Sequence, residues 1–156
     1  MRPPVVVIGL GHRWMGDEGI GPAIVERLGQ VPLANDLAEY VDLGTRGLAL
    51  LHVIDGRQKA VIIDCALMGL SPGQMRRFTL DQVAGTKVLS GVSDHQADLL
   101  GLLTLAKTLG QLPKEVVIFG IQPRLVGPGM HISEDLMARI DYYLETIMAE
   151  LGQPVC

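Results

Sequence analysis

Val5-Val-Val-Ile-Gly-Leu10 runs directly into Gly11-His-Arg-Trp-Met-Gly-Asp-Glu-Gly-Ile-Gly21, and these seventeen residues decide the fold. A continuous β-branched run, preceded by Pro3-Pro4 and ended by Gly11, is the pattern of a strand covered on both faces. The polar, glycine-punctuated stretch from His12 to Gly21 reads as a loop. Pro22 to Leu28 reads as the following helix, with Pro22 in the first helical position, where no intrahelical N–H bond is lost.

Outward from this unit the alternation continues. Glu39 to Leu43 reads as a short second strand. Leu48 to Ile54, apolar on nearly all sides, reads as a buried helix stopped by Asp55-Gly56. Ala60-Val-Ile-Ile-Asp64 is another buried strand, and it ends on a carboxylate. Met75 to Leu80, mixed in polarity, reads as an edge strand. Asp94 caps a helix from His95 to Leu109, with Leu99, Leu100, Leu102, Leu103 and Leu109 as its apolar face. Glu115 to Ile121 is a third buried strand, and Ser133 caps a last helix on which Leu136, Ile140, Tyr143, Leu144, Ile147 and Leu151 recur at helical spacing. With no repeat and no linker, residues 1–156 are expected to form a single α/β domain, a mostly parallel sheet between helix layers.

Composition narrows the function. Thirteen Lys plus Arg against seventeen Asp plus Glu leave a net charge of −4, and no basic block exceeds Arg76-Arg77. A nucleic-acid partner is therefore disfavoured. The apolar runs are too short to span a bilayer, and no small-residue cleavage site follows the first of them, so neither a membrane nor a signal peptide is expected. Cys65 and Cys156 make no disulfide framework and no zinc-ribbon spacing, which suits a reducing cytoplasm. Nineteen glycines in 156 residues exceed the usual roughly 7% and point to tight turns and close backbone approaches.

An open parallel sheet presents its ligand site beyond the carboxyl ends of its strands. That rule selects the Gly9–Gly21 loop, Asp64 and the loop before His95. A dinucleotide fingerprint starting at Gly9 and Gly11 needs its third glycine where Trp14 stands, and an indole there would block closure of helix on strand. A phosphate-binding P-loop lacks its Gly-Lys-Ser/Thr. Asp17 and Glu18 are the wrong charge for a phosphate and the right charge for a cation. Glu18, Asp64 and His95 each fall at a strand end or a helix mouth, and carboxylate oxygen with imidazole nitrogen suits a hard-to-borderline divalent metal. Each residue alone has a plainer reading: Glu18 favouring a helix N-terminus, Asp64 forming a turn, His95 exposed in a first turn. Their convergence on one rim favours the metal.

At these residues the sequence resembles the hydrogenase maturation proteases. The resemblance is carried by Gly9-Leu-Gly11 with Gly16-Asp-Glu-Gly-Ile-Gly21, by Asp42-Leu-Gly-Thr-Arg-Gly47 with Leu50-Leu51, by Val61-Ile-Ile-Asp64 and by Ser93-Asp-His-Gln96. It implies a twisted five-stranded sheet sandwiched between helices. It also implies an aspartyl-type endopeptidase of the cytoplasm, expected as a monomer, that removes the C-terminal extension of a [NiFe]-hydrogenase large-subunit precursor. The family's metal-binding acids fall on Glu18 and Asp64, and its histidine on His95. The nickel is implied to arrive in the precursor and not to remain on the protease. Two positions depart from the family: His12 stands for its usual Asn, and Leu43 for a Gly, where positive φ would be unfavourable.

For the chemistry, Glu18, Asp64, His95 and Asp42 are the catalytic candidates. Nickel held by the first three either polarises the scissile carbonyl or a water, or serves recognition alone. Asp42 or Asp17 is the candidate general base. Cys65 is set aside, because the adjacent Asp64 disfavours a thiolate. Trp14 and Met15 either line a groove for the substrate's tail or pack as a flap on the core. His52 reads as structural, His131 as a loop residue, with a place facing the site as the lesser alternative, and Tyr142 and Tyr143 as helix packing, one inward and one at the rim. The competing functions are a nucleotide- or small-molecule-binding module and a nickel-checking chaperone without catalysis.

Overall fold

The computed structural model describes residues 2–85 and 94–152; the side chains of 83–85 and 94–98 are outside the described set, as is Cys156. Strand β1 (Val5–Leu10) leads through a 3-10 turn (Gly16–Gly19) into α1 (Ile20–Gly29), α2 (Pro32–Asn35) and β2 (Glu39–Gly44). Helix α3 (Ala49–Ile54), β3 (Lys59–Cys65), β4 (Met75–Thr79) and α4 (Leu80–Gly85) follow. The chain closes with α5 (Asp94–Thr108), β5 (Glu115–Ile121), α6 (Glu134–Met137) and α7 (Ile140–Leu151). Among the described residues five strands make one sheet in the order β2-β1-β3-β5-β4. All neighbours are parallel except the edge strand β4, which runs antiparallel to β5. The α/β class, the five strands and the edge position of Met75–Thr79 agree with the sequence reading.

Alternation along the strands divides the core. Val7, Val61, Ile63, Val117 and Phe119 pack with Ile24 and Leu28 of α1 and with Tyr143 and Ile147 of α7. Val6, Ile8, Ile62 and Ile118 face the other way, against Leu50 and Ile54 of α3 and Leu99 and Leu103 of α5. Side chains at i and i+2 share a face of a strand, so strands buried on both sides read as unbroken apolar runs. Helices therefore cover both faces, as expected.

Several local expectations are corrected. Helix α1 starts at Ile20, so Pro22 is its third residue; its missing N–H is still one of the first four that lack an intrahelical partner. Helix α3 buries only Leu50 and Ile54, while Leu48 and His52 are exposed. An i, i+4 pair is one stripe of a helix and not its whole circumference. Leu109 lies beyond α5 and is exposed. The last helix is two, broken at Ala138-Arg139, with Leu136 and Ile140 buried on either side of the break.

The amino end of the sheet is tied by charge. Lys59, 1% exposed, donates 2.7 Å to Glu150 on α7 and lies 3.4 Å from Glu115. Arg77 on β4 closes the cluster on Glu150. Burial disfavours the Glu150 carboxylate, but hydrogen bonds from Arg77 and Lys59 outweigh it and hold the pKa below its ordinary 4.5. Stability from a depressed carboxylate is present above the ordinary value and lost as pH falls through the folded-state value. Glu150→Gln is expected to destabilise the fold by about 3 kcal/mol at pH 7, since it strips a buried cation of its nearest partner. In urea melts the gap from wild type should narrow steadily below pH 4.5. A gap that stays constant down to pH 3 would contradict the assignment.

Candidate active site

The strand order places a topological switch at β1. Helix α1 carries the chain to β2 on one side, and β3 pairs with β1 on the other. In such sheets the crevice opens beyond the carboxyl ends of the strands at the switch. Gly9 pairs with both Asp42 and Ile63, so the ends of β2 and β3 flank β1 at one level. Helix α5 packs on the sheet and leads down to the start of β5, which places its first turn at the same rim.

Glycine makes the loop after β1 fold back tightly. Gly11 has φ +131°, and a Cβ there would lie 2.0 Å from the carbonyl oxygen of Glu18. A Cβ on Gly21 would lie 2.5 Å from the Leu10 carbonyl and 2.7 Å from that of Ile63. The loop is thereby pressed onto the ends of β1 and β3, with the Glu18 backbone held against Gly11. Trp14 is not at this junction. It is 61% exposed, because the loop is long enough to carry the indole outward while Gly21 makes the close approach. It is therefore no flap on the core.

Asp64, one residue from the end of β3, is 7% exposed. It borders a cavity of about 520 Å³ that Leu10, Gly11, Gly44, Leu99 and Leu102 also line. Burial pushes its carboxyl up to about 8; the Cys65 backbone N–H offsets part of this, and the charge of Glu18 raises it further. Glu18 and Asp64 are thus brought within electrostatic reach of one another. Burial raises the Cys65 thiol, and the charges of Asp64, Glu18 and Asp17 raise it more, which argues against a thiolate nucleophile. His95 lies in the first turn of α5, but its side chain is outside the described set. Among the described residues no three metal-ligating side chains form a cluster. His12 accepts the Trp14 N–H at Nδ1, 3.1 Å, and so helps to shape the loop.

The remaining acids differ in setting. Asp42 accepts two hydrogen bonds from Arg13 at Oδ2, 3.0 and 2.8 Å, and the Gly44 N–H at Oδ1, 2.9 Å. Its side chain keeps 32% exposure. Leu43 is buried in the core, and the left-handed conformation falls one residue later, on Gly44 with φ +54°. The strand pairing slips there, Gly9 facing Asp42 and Leu10 facing Gly44, so a β-bulge absorbs the departure that Leu43 represents.

Asp17 is fully buried. Its Oδ2 accepts the backbone N–H groups of Arg124 and Leu125 at 2.8 and 3.0 Å and the Ser133 hydroxyl at 2.8 Å. Its Oδ1 accepts the Ser133 N–H at 2.6 Å. Burial opposes the charge, but these hydrogen bonds prevail and hold the carboxyl below its ordinary value. Ser133 does sit at the start of α6, yet makes no side-chain cap on that helix. The sequence reading missed this link; its only signal was a second acid beside Glu18. His131 and His52 are exposed, His52 against Arg2.

Fold and rim define an α/β protein with acidic side chains gathered at the switch of a parallel sheet. A sequence profile described as "Hydrogenase maturation protease" matches residues 22–150. The hydrogenase 2 maturation protease of Escherichia coli is 30% identical over 150 residues, covering 96% of this chain and 91% of that protein. The solved structure of the hydrogenase maturating endopeptidase HybD from E. coli matches with a TM-score of 0.84 at 30% identity, over 97% of this chain and 92% of that one. HybD from Thermococcus kodakarensis matches at 0.77 and 25% identity, over 98% and 100%. The chain belongs to the hydrogenase maturation protease family and is a peptidase of hydrogenase maturation. No described helix is long and apolar enough to cross a membrane.

Gly11→Ala is expected to drive the Glu18 backbone outward, lowering stability by about 1–3 kcal/mol and stopping processing. Gly29→Ala, with nothing within 4 Å of the new methyl, is expected to leave both unchanged. Thermal melts and a processing assay on the two variants check this; an active Gly11→Ala enzyme would contradict it.

Proposed function

We propose that the chain removes the C-terminal extension of a [NiFe]-hydrogenase large-subunit precursor, and that the nickel in that precursor is the ion gripped by Glu18, Asp64 and His95. The supporting observation is the pair Glu18 and Asp64. Asp64 is enclosed at the cavity and the nearby charge of Glu18 disfavours its carboxylate further, a strain that a divalent cation relieves. Nickel is part of the substrate: it arrives with the precursor and departs with the product. The chain acts as a monomer in the cytoplasm, where the precursor is made.

Gripping the nickel fixes the adjoining peptide bond over the rim, and the ion polarises the scissile carbonyl or the attacking water. Asp42 is the general base in this reading. It is part-exposed at the same level as the end of β3, whereas Asp17 is out of reach of water and substrate. Asp42 takes a proton as the water oxygen bonds to the carbonyl carbon. The proton passes to the departing amine as the C–N bond breaks.

Mass spectrometry of the precursor is the test. Wild type should shorten the nickel-loaded precursor by one C-terminal peptide and leave the nickel-free precursor intact. His95→Ala should abolish the cut, and Asp42→Asn should lower kcat at least about 100-fold while still binding the loaded precursor. Undiminished processing by His95→Ala, or equal cutting of both precursors, would overturn the reading.

A further inference from the structure

Asp17 is a buried charge without a part in the steps above. It is fully enclosed, accepts four hydrogen bonds, and all of them come from residues 124–133, more than a hundred positions along the chain. Backbone bonds complete the seam: Leu125 and Gly129 carbonyls accept the Asp17 and Gly16 N–H groups at 3.0 and 2.8 Å, and the Gly129 N–H donates 2.7 Å to Trp14. Serine at a helix start ordinarily accepts a hydrogen bond from that helix. Here the Ser133 hydroxyl is given to Asp17 instead.

The clamped segment carries large apolar groups to the surface. Leu125, Val126 and Met130 are 69%, 43% and 57% exposed, and Trp14 across the seam is 61% exposed. The backbone bonds of the seam bring the Trp14 and Gly129 stretches side by side, and large apolar groups exposed close together mark a contact surface. Trp14 is four residues before Glu18 on the same loop, so a polypeptide whose nickel reaches Glu18 comes within reach of this surface.

We infer that Asp17 is a positioning residue for the peptidase reaction: it clamps residues 124–133 onto the loop that carries Glu18, and so builds an apolar lip of Trp14, Leu125, Val126 and Met130 on which the precursor polypeptide rests. The occupant rests on the function proposed above; the clamp itself does not. A charged clamp suits this position because it fixes backbone direction at three N–H groups, which an apolar contact would leave free to slide.

Steady-state cleavage of the nickel-loaded precursor separates positioning from mere stability. Ser133→Ala keeps the charge and removes one hydrogen bond, and is expected to raise KM about threefold with kcat unchanged; Asp17→Asn should raise KM at least about tenfold. Ile147→Ala, in the core near the opposite rim, lowers the melting temperature but should leave KM alone. Trp14 is the chain's single tryptophan, and its emission should shift to the blue when precursor binds. An unchanged KM in both clamp variants, a KM that follows melting temperature across all three, or a Trp14 signal indifferent to precursor would overturn the inference. If Leu125→Ser alters sedimentation of the chain alone and leaves KM unchanged, the lip joins two copies and the inference also fails. Failure of the function itself looks different: wild type would neither cut the precursor nor respond to it at Trp14.

Discussion

A carboxylate held where water is scarce, with a second acid bearing on it, sets the terms for this molecule. Asp64 is enclosed at the end of β3, and the charge of Glu18 on the loop after β1 disfavours its carboxylate further. A third acid, Asp17, adds to the negative field felt at Cys65. Folding gains nothing from such a gathering, and a counter-charge brought from outside relieves it. The architecture supplies the position, because the switch at β1 opens a crevice at the carboxyl rim. Glycines supply the proximity, since only residues without a Cβ let the loop lie against the strands.

Charge is used differently at the two ends of the sheet. At the amino end Lys59, Arg77, Glu115 and Glu150 compensate one another and fasten α7. At the carboxyl end one acid, Asp17, is fully satisfied by hydrogen bonds, one, Asp42, is paired with Arg13, and Glu18 with Asp64 is left uncompensated among the described residues. Asp17, fully satisfied and buried, builds the frame. The uncompensated pair is where a cation has most to offer.

Much of this was legible in the sequence. Strands buried on both faces announce themselves as unbroken Val/Ile runs, and β1, β3 and β5 fall where those runs do. Asp64 stood out because a carboxylate terminates such a run. What sequence hid was the use of polar groups across long separations. Ser133 reads as a helix cap by every local rule, and only the folded chain shows its hydroxyl turned to Asp17. The α6–α7 break was hidden because Leu136 and Ile140 keep helical spacing across it. Of the two readings left open for Trp14, groove or flap, spacing alone could not choose, because counting residues from Gly9 cannot show how far a loop bulges. The bulge at Leu43 was invisible for the same reason: a leucine at a family glycine suggests strain, while the neighbouring Gly44 takes up the left-handed turn.

A crystal of the protein soaked in a nickel salt and measured at the nickel absorption edge tests the convergence most directly. Expected is one anomalous peak about 2 Å from a carboxylate oxygen of Glu18, one of Asp64 and a ring nitrogen of His95, as first-row divalent ions require. A peak elsewhere, or an imidazole of His95 directed away from an ion held by the two acids, would contradict it.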